Sequence, residues 1–104
     1  MPANLRKSGA AQKDLLDHFL YIGRNSKPAA TRFLRAVDKA CQFLVDFPKI
    51  GSLWDSDNPA LEGIRFWSIK KFEKYLIFYQ PVSDGIYVLR IFHSAQDIEN
   101  LLEE

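Results

Sequence analysis

At 104 residues and 47% hydrophobic, the chain has the size and apolar content of one domain over 1–104 with one core. Fourteen Lys/Arg against thirteen Asp/Glu leave a net charge of +1, without the strongly basic balance by which nucleic-acid binders neutralise phosphate. The lone Cys41 excludes an internal disulfide and suits a reducing compartment, the basic first residues lack the apolar run of an export signal, and no stretch is long enough to cross a bilayer, so a soluble cytoplasmic protein is expected. The charge is uneven: residues 1–51 hold nine Lys/Arg and four Asp/Glu (+5), residues 52–104 five and nine (−4).

Residues 4–8, Asn-Leu-Arg-Lys-Ser, read either as an edge strand or as an unstructured lead-in. From about Ala10, Leu15, Phe19 and Ile22 at i, i+4, i+7 predict a helix, with Leu16 and Leu20 widening its apolar stripe and Gly23 and Asn25 suited to its end. Ser26 and Pro28 open a second helix whose stripe is Phe33, Val37, Ala40, Cys41, Leu44 and Phe47, and Pro48 with Gly51 stops it. So short a link makes the two an antiparallel hairpin. Gly51–Asn58 reads as a polar loop carrying Trp54 and closed by Pro59. Thereafter Ile64–Ile69, Tyr75–Tyr79 and Ile86–Phe92 are β-rich runs joined by Lys70–Lys74 and by a turn containing Asp84-Gly85, which predicts an antiparallel meander. Ile98, Leu101 and Leu102 mark a short last helix, with Glu103-Glu104 as a frayed acidic end. The fold class is α+β: an N-terminal helical hairpin packed on an antiparallel sheet of three to four strands, with a short C-terminal helix.

Within this order lie local strings: Ala11-x-x-Asp14-Leu15, Ala30-x-x-Phe33, Leu44-x-x-Phe47-Pro48-x-x-Gly51, Gly63-Ile-Arg65, Tyr75-Leu-Ile-Phe78-Tyr79, and Gly85-Ile-x-Val-Leu-Arg90-Ile-Phe-His93 followed by Ala95-x-Asp97. Together they span nearly the whole chain and resemble the ParE branch of the ParE/RelE superfamily, toxins of bacterial type II toxin–antitoxin systems. Two departures stand out. Gln96 occupies the arginine position of the His-x-x-Arg-Asp string common in the family, so an activity dependent on that arginine has no counterpart here, and the first strand is poor in β-formers. The resemblance implies a cognate antitoxin as partner, with DNA gyrase the target often poisoned in the ParE branch and ribosome-bound mRNA the one cleaved in the RelE branch.

RNA cleavage requires groups that activate a 2′-hydroxyl, stabilise the phosphorane and protonate the leaving oxygen. Under that reading the catalytic candidates are Arg65, Tyr79, Arg90 and His93, with Lys70, Lys71, Lys74 and Tyr75 nearby in sequence. His93 titrates nearest neutral pH, yet at a strand end it serves equally to bond backbone or Asp97. Arg65 and Arg90 on strands fit either an internal ion pair or an antitoxin contact on one side, or target binding on the other. Target- or antitoxin-binding candidates are Arg65, Trp67, Lys70, Lys71, Arg90 and His93; Trp54 and Trp67 fit loop or core anchors as well. His18 reads as a solvent-edge residue and Cys41 as core. Arg24, Lys27, Arg32, Arg35 and Lys39 line the polar sides of the hairpin, where they form either an ordinary charged face or a surface complementary to an acidic antitoxin. No phosphate loop, zinc spacing or catalytic triad is present, so no cofactor or metal is indicated. Near-neutral charge and a sparse acid–base set favour a protein-binding gyrase inhibitor over an endoribonuclease; a degenerate, non-toxic member is a third reading. A binder of this kind should expose an apolar groove.

Overall fold

The computed structural model describes residues 4–103, so Glu104 of the expected acidic end lies outside them. Strand β1 (Asn4–Lys7) leads into helices α1 (Gly9–Gly23) and α2 (Lys27–Asp46). Then come the two-residue strand β2 (Ser52–Leu53), a 3-10 turn (Pro59–Leu61), β3 (Arg65–Ile69), β4 (Phe72–Val82), β5 (Gly85–His93) and α3 (Ile98–Leu102). The five strands form one sheet in the order β1-β5-β4-β3-β2. The α+β architecture matches the sequence reading, with more strands than the three or four expected. β1 is a strand, and it runs parallel to β5, so the sheet is not purely antiparallel. The other addition, β2, lies within the segment read as a loop and pairs Ser52 with Phe66 and Leu53 with Arg65.

Local chemistry explains where the helices start. Ser8 caps α1 by accepting a hydrogen bond from Ala11 N at 2.9 Å, and Ser26 caps α2 by accepting one from Ala29 N at 3.1 Å, ahead of Pro28 in the first turn. α2 buries Ala30, Phe33, Val37, Ala40, Cys41 and Leu44, the expected stripe except for Phe47, which lies exposed at the C-cap. Burial of Cys41 pushes its thiol up to about 11.

α1 departs further from its sequence pattern. Leu16 and Leu20 are 54% and 55% exposed, whereas Asp14 is buried and His18 half-buried. The cause lies at the sheet edge. β1 pairs with β5 only as far as Val88, and beyond it the outward polar groups of β5 meet the N-terminal part of the hairpin. Ser8 donates to Val88 O through its backbone N at 2.9 Å and to Leu89 O through Oγ at 2.7 Å. Asp14 Oδ2 accepts from Ile91 N at 3.0 Å, and His18 Nε2 donates to Ile91 O at 2.8 Å. Polar side chains of α1 thus do what a longer β1 would have done, satisfying backbone groups that are costly to bury unpaired and closing an edge to other chains.

The two hairpins also differ in detail from the sequence reading. Residues 72–74 belong to β4, leaving a two-residue turn at Lys70-Lys71 with Lys71 at φ 74. At the β4–β5 joint, Val82 pairs with Gly85, so Ser83-Asp84 form the turn and Gly85 is already strand. Glycine is needed there for proximity: a Cβ would sit 1.8 Å from Asn4 O of β1.

Alternation along β3, β4 and β5 sorts two cores. Tyr75, Ile77, Tyr79, Val88 and Ile91 face the helices with Phe33, Val37 and Leu44, while Phe78 and Phe92 turn to the other face and pack with Leu61 and Ile64.

Candidate functional site

Five strands at about 4.8 Å spacing make a sheet roughly 19 Å wide, close to the width of two helices side by side. α1, however, is occupied at the β5 edge and packs on β5 and α2, so α2 is the helix that meets β3, and one flank of α2 stays open beside that strand. A groove of about 850 Å³ results. Ala29, Ala36, Ala40 and Phe43 line it from one stripe of α2, and Trp67 and Phe72 line it from the sheet. Phe43 stacks on Trp67 with ring centroids 5.6 Å apart, and Phe47 meets Phe43 at 5.1 Å, so the aromatic surface continues past the end of α2. Ile50 and Leu53, both exposed, follow in the chain.

The groove's border is cationic. Arg32, Arg35 and Lys39 stand along α2, and Lys70 and Lys71 stand at the β3–β4 turn. Lys71 occupies the left-handed region, where glycine or asparagine is the usual choice, so a lysine there costs about 1 kcal/mol of backbone strain while placing a fifth positive charge at the border.

The structure separates the residues that sequence reading grouped together. Trp67, Lys70 and Lys71 meet at the groove. Arg65 and Tyr79 form a cross-strand pair on the helix-facing side, where both hold the chain that leaves α2. Arg65 Nη1 donates to Lys49 O at 3.0 Å and to Gly51 O at 2.7 Å. Tyr79 donates from its hydroxyl to Pro48 O at 2.7 Å and accepts from Gly51 N at 3.0 Å. Gly51 is required because a Cβ would lie 2.5 Å from Tyr79 Oη and 2.9 Å from Phe66 O. Desolvation raises the Tyr79 phenol above its ordinary value, against smaller opposing effects of the Gly51 bond and the Arg65 charge.

Arg90 lies in the register of the other face, opposite Phe78. Its guanidinium grips Asp14 with two bonds, Nε to Oδ2 at 2.8 Å and Nη2 to Oδ1 at 2.9 Å, while Nη1 donates to Leu101 O at 3.3 Å. It also lies 4.6 Å from the centroid of the Phe92 ring. One side chain therefore ties α1, β5 and α3 together. His93 returns to the helix-facing side opposite Tyr75, its ring edge-on at 4.9 Å. Its Nδ1 accepts from Ala95 N at 3.0 Å, and its backbone N donates to Gln96 Oε1 at 2.6 Å, so the residue in the family's arginine position closes this turn. Tyr75 has His18 on another side, also at 4.9 Å. The four proposed catalytic groups thus divide between two faces, and each has internal hydrogen-bond partners.

Asp14 enters the sequence reading only within the Ala11-x-x-Asp14-Leu15 string, and His18, expected at the solvent edge, is instead half-buried beside Tyr75 with Nε2 bonded to Ile91 O. The signal available was a polar pair at i, i+4 on the helix, with Ala11 one turn before Asp14. Among the described residues no group of three or more His, Cys, Asp or Glu could hold a metal ion, and no helix is long and apolar enough to cross a membrane.

Residues 5–98 match the model of the ParE toxin of the parDE type II toxin–antitoxin system. No curated protein matches the chain. Among solved structures, a chain described as the chromosomal ParDE TA system from P. aeruginosa superposes with a TM-score of 0.68 at 17% identity, covering 88% of this chain and 95% of that one. The likeness between the two structures is one of fold. The family match extends over most of the sequence, from β1 to the start of α3, and the chain therefore belongs to the ParE toxin family of type II toxin–antitoxin systems.

Proposed function

We propose that this chain is a toxin that acts by binding, that its cognate antitoxin neutralises it by docking in the groove between α2 and β3, and that its free form inhibits DNA gyrase. The groove is the observation that carries the reading. An open apolar trough flanked by five cations suits an amphipathic acidic segment of protein, which buries its apolar side on Phe43, Trp67 and Phe72 and sets its carboxylates against the border. The alternative, ribosome-dependent mRNA cleavage, needs Arg65, Tyr79, Arg90 and His93 around one phosphate. Arg90 is paired with Asp14, and Arg65 and Tyr79 are engaged with the 48–51 segment, which supports structural roles for them.

Induction without antitoxin tests target and mode together. The expected outcome is growth arrest with a DNA-damage response and inhibited supercoiling by purified gyrase, with cellular mRNA left intact. Mapped cuts in ribosome-bound mRNA would transfer the assignment to the endoribonuclease, and absence of arrest would mark a member that retains antitoxin binding alone.

A further inference from the structure

The second face of the sheet has its own small core, Phe78 and Phe92 with Leu61 and Ile64. Its cover differs in kind from the helices on the first face. α2 buries six side chains, whereas α3 buries none, and Ile98, Leu101 and Leu102 stay half-buried. α3 has five residues, too few to persist as an isolated helix, and Asp97 at its N-cap makes no side-chain capping bond.

α3 is held by partial packing of Ile98, Leu101 and Leu102 on the small core and by a few polar bonds. Glu99 accepts from Trp54 Nε1 at 2.9 Å and from Ser56 Oγ at 2.7 Å, and Leu101 O accepts the longer bond from Arg90. Ordering a five-residue segment costs more conformational entropy than three such bonds return, so the partial burial of three apolar side chains must supply the rest and leaves the balance small. Beneath α3 lies a cleft of about 300 Å³, bordered by Leu61, Ile64, Leu89 and Arg90 with Leu101 and Leu102 above. The family match ends at Ile98, the first residue of α3, so the rest of this helix lies outside the matched segment.

We propose that α3 is a detachable strap, which comes away from the sheet while the α1–α2 hairpin and the five strands stay folded, opening the cleft and baring the aromatic face around Phe92. Glu99 is its polar fastening. The inference is independent of the target, because it concerns the face opposite the groove. Arg90 keeps its two bonds to Asp14 when the strap leaves, so the junction of α1 with β5 survives.

Hydrogen–deuterium exchange on the full chain, resolved by residue, tests it. Amides of Leu101 and Leu102 should exchange about 100-fold or more faster than those of Ile77 and Ile91, as local opening requires. Glu99→Ala should speed the α3 amides roughly tenfold further, leave Ile77 and Ile91 unchanged, and raise binding of a hydrophobic dye. Glu99→Gln, which keeps an acceptor for the Trp54 indole, should fall between and serves if the alanine variant does not fold. Exchange of α3 in step with Ile77 and Ile91, or an equal acceleration of both regions by either variant, overturns the proposal, as does a fastening change that leaves α3 exchange unaltered.

Discussion

Asp14 is a carboxylate on the inward side of a helix, where burial alone would be unfavourable. Its two oxygens are used by three donors: Arg90 Nε, Arg90 Nη2 and Ile91 N. Such a pair is weak evidence for net stabilisation relative to an apolar replacement of both members, but removal of one member alone strands the other. Asp14→Ala should therefore lower stability by about 3 kcal/mol in urea titration, toward the lower end of what a fully buried pair loses, since the guanidinium keeps some solvent. Asp14→Asn retains an acceptor for Ile91 N and should lose less. If both variants unfold at the wild-type midpoint, the carboxylate is not what holds α1 to β5. Tyr79 and Gly51 show a related dependence, because the hydroxyl that bonds Pro48 O and Gly51 N occupies the space a side chain at residue 51 would need.

Among the elements, α1 shows where sequence periodicity misleads. Leu15, Leu16, Phe19, Leu20 and Ile22 form an apolar stripe on paper, yet the helix turns Ala11, Asp14 and His18 toward β5 and leaves Leu16 and Leu20 outward. Leu15 and Ile22 of the expected stripe do pack on the core, but its centre shifts away from Leu16 and Leu20 because the inward side must also satisfy the backbone of β5, a long-range demand that periodicity does not contain. Leu16→Glu with Leu20→Lys should therefore change unfolding free energy by no more than about 0.5 kcal/mol, the ordinary range for exposed positions. A loss of several kcal/mol in a denaturant titration would restore them to the core. α2 was legible almost residue by residue, because its burial follows a simple helical stripe and its ends carry Ser26-Lys-Pro28 and Pro48. The β3–β5 meander was legible from alternation, but β2 was hidden by its two-residue length and the direction of β1 by its distance in sequence from β5. At the site, Trp67, Lys70 and Lys71 were legible as surface candidates, while Phe43 and Phe72 became groove residues only through the vacancy beside α2.

Over the whole molecule, the charge split of the sequence becomes a spatial one. The basic half supplies both long helices and three of the five groove cations, and the two remaining cations come from the β3–β4 turn. The segments 52–64 and 91–103 hold no Lys or Arg and six Asp or Glu, and Glu99 bonded to Trp54 and Ser56 draws them together on the other side of the sheet. Such a field acts over about one Debye length, near 8 Å at physiological salt, and so chiefly on the encounter rather than on the final packed contact. It also disfavours self-pairing through the groove, because a two-fold contact would set five cations against five. On the proposed docking, an acidic antitoxin approaching the helical side would be accelerated. Arg35→Glu with Lys39→Glu should then lower the association rate with the purified antitoxin by about tenfold at low salt, flatten its salt dependence, and change the dissociation rate much less. Trp67→Ala should do the reverse, raising the dissociation rate with little effect on association, since it removes packed apolar surface and no charge. If the charge reversal leaves association untouched while antitoxin still binds, the antitoxin docks elsewhere than between α2 and β3.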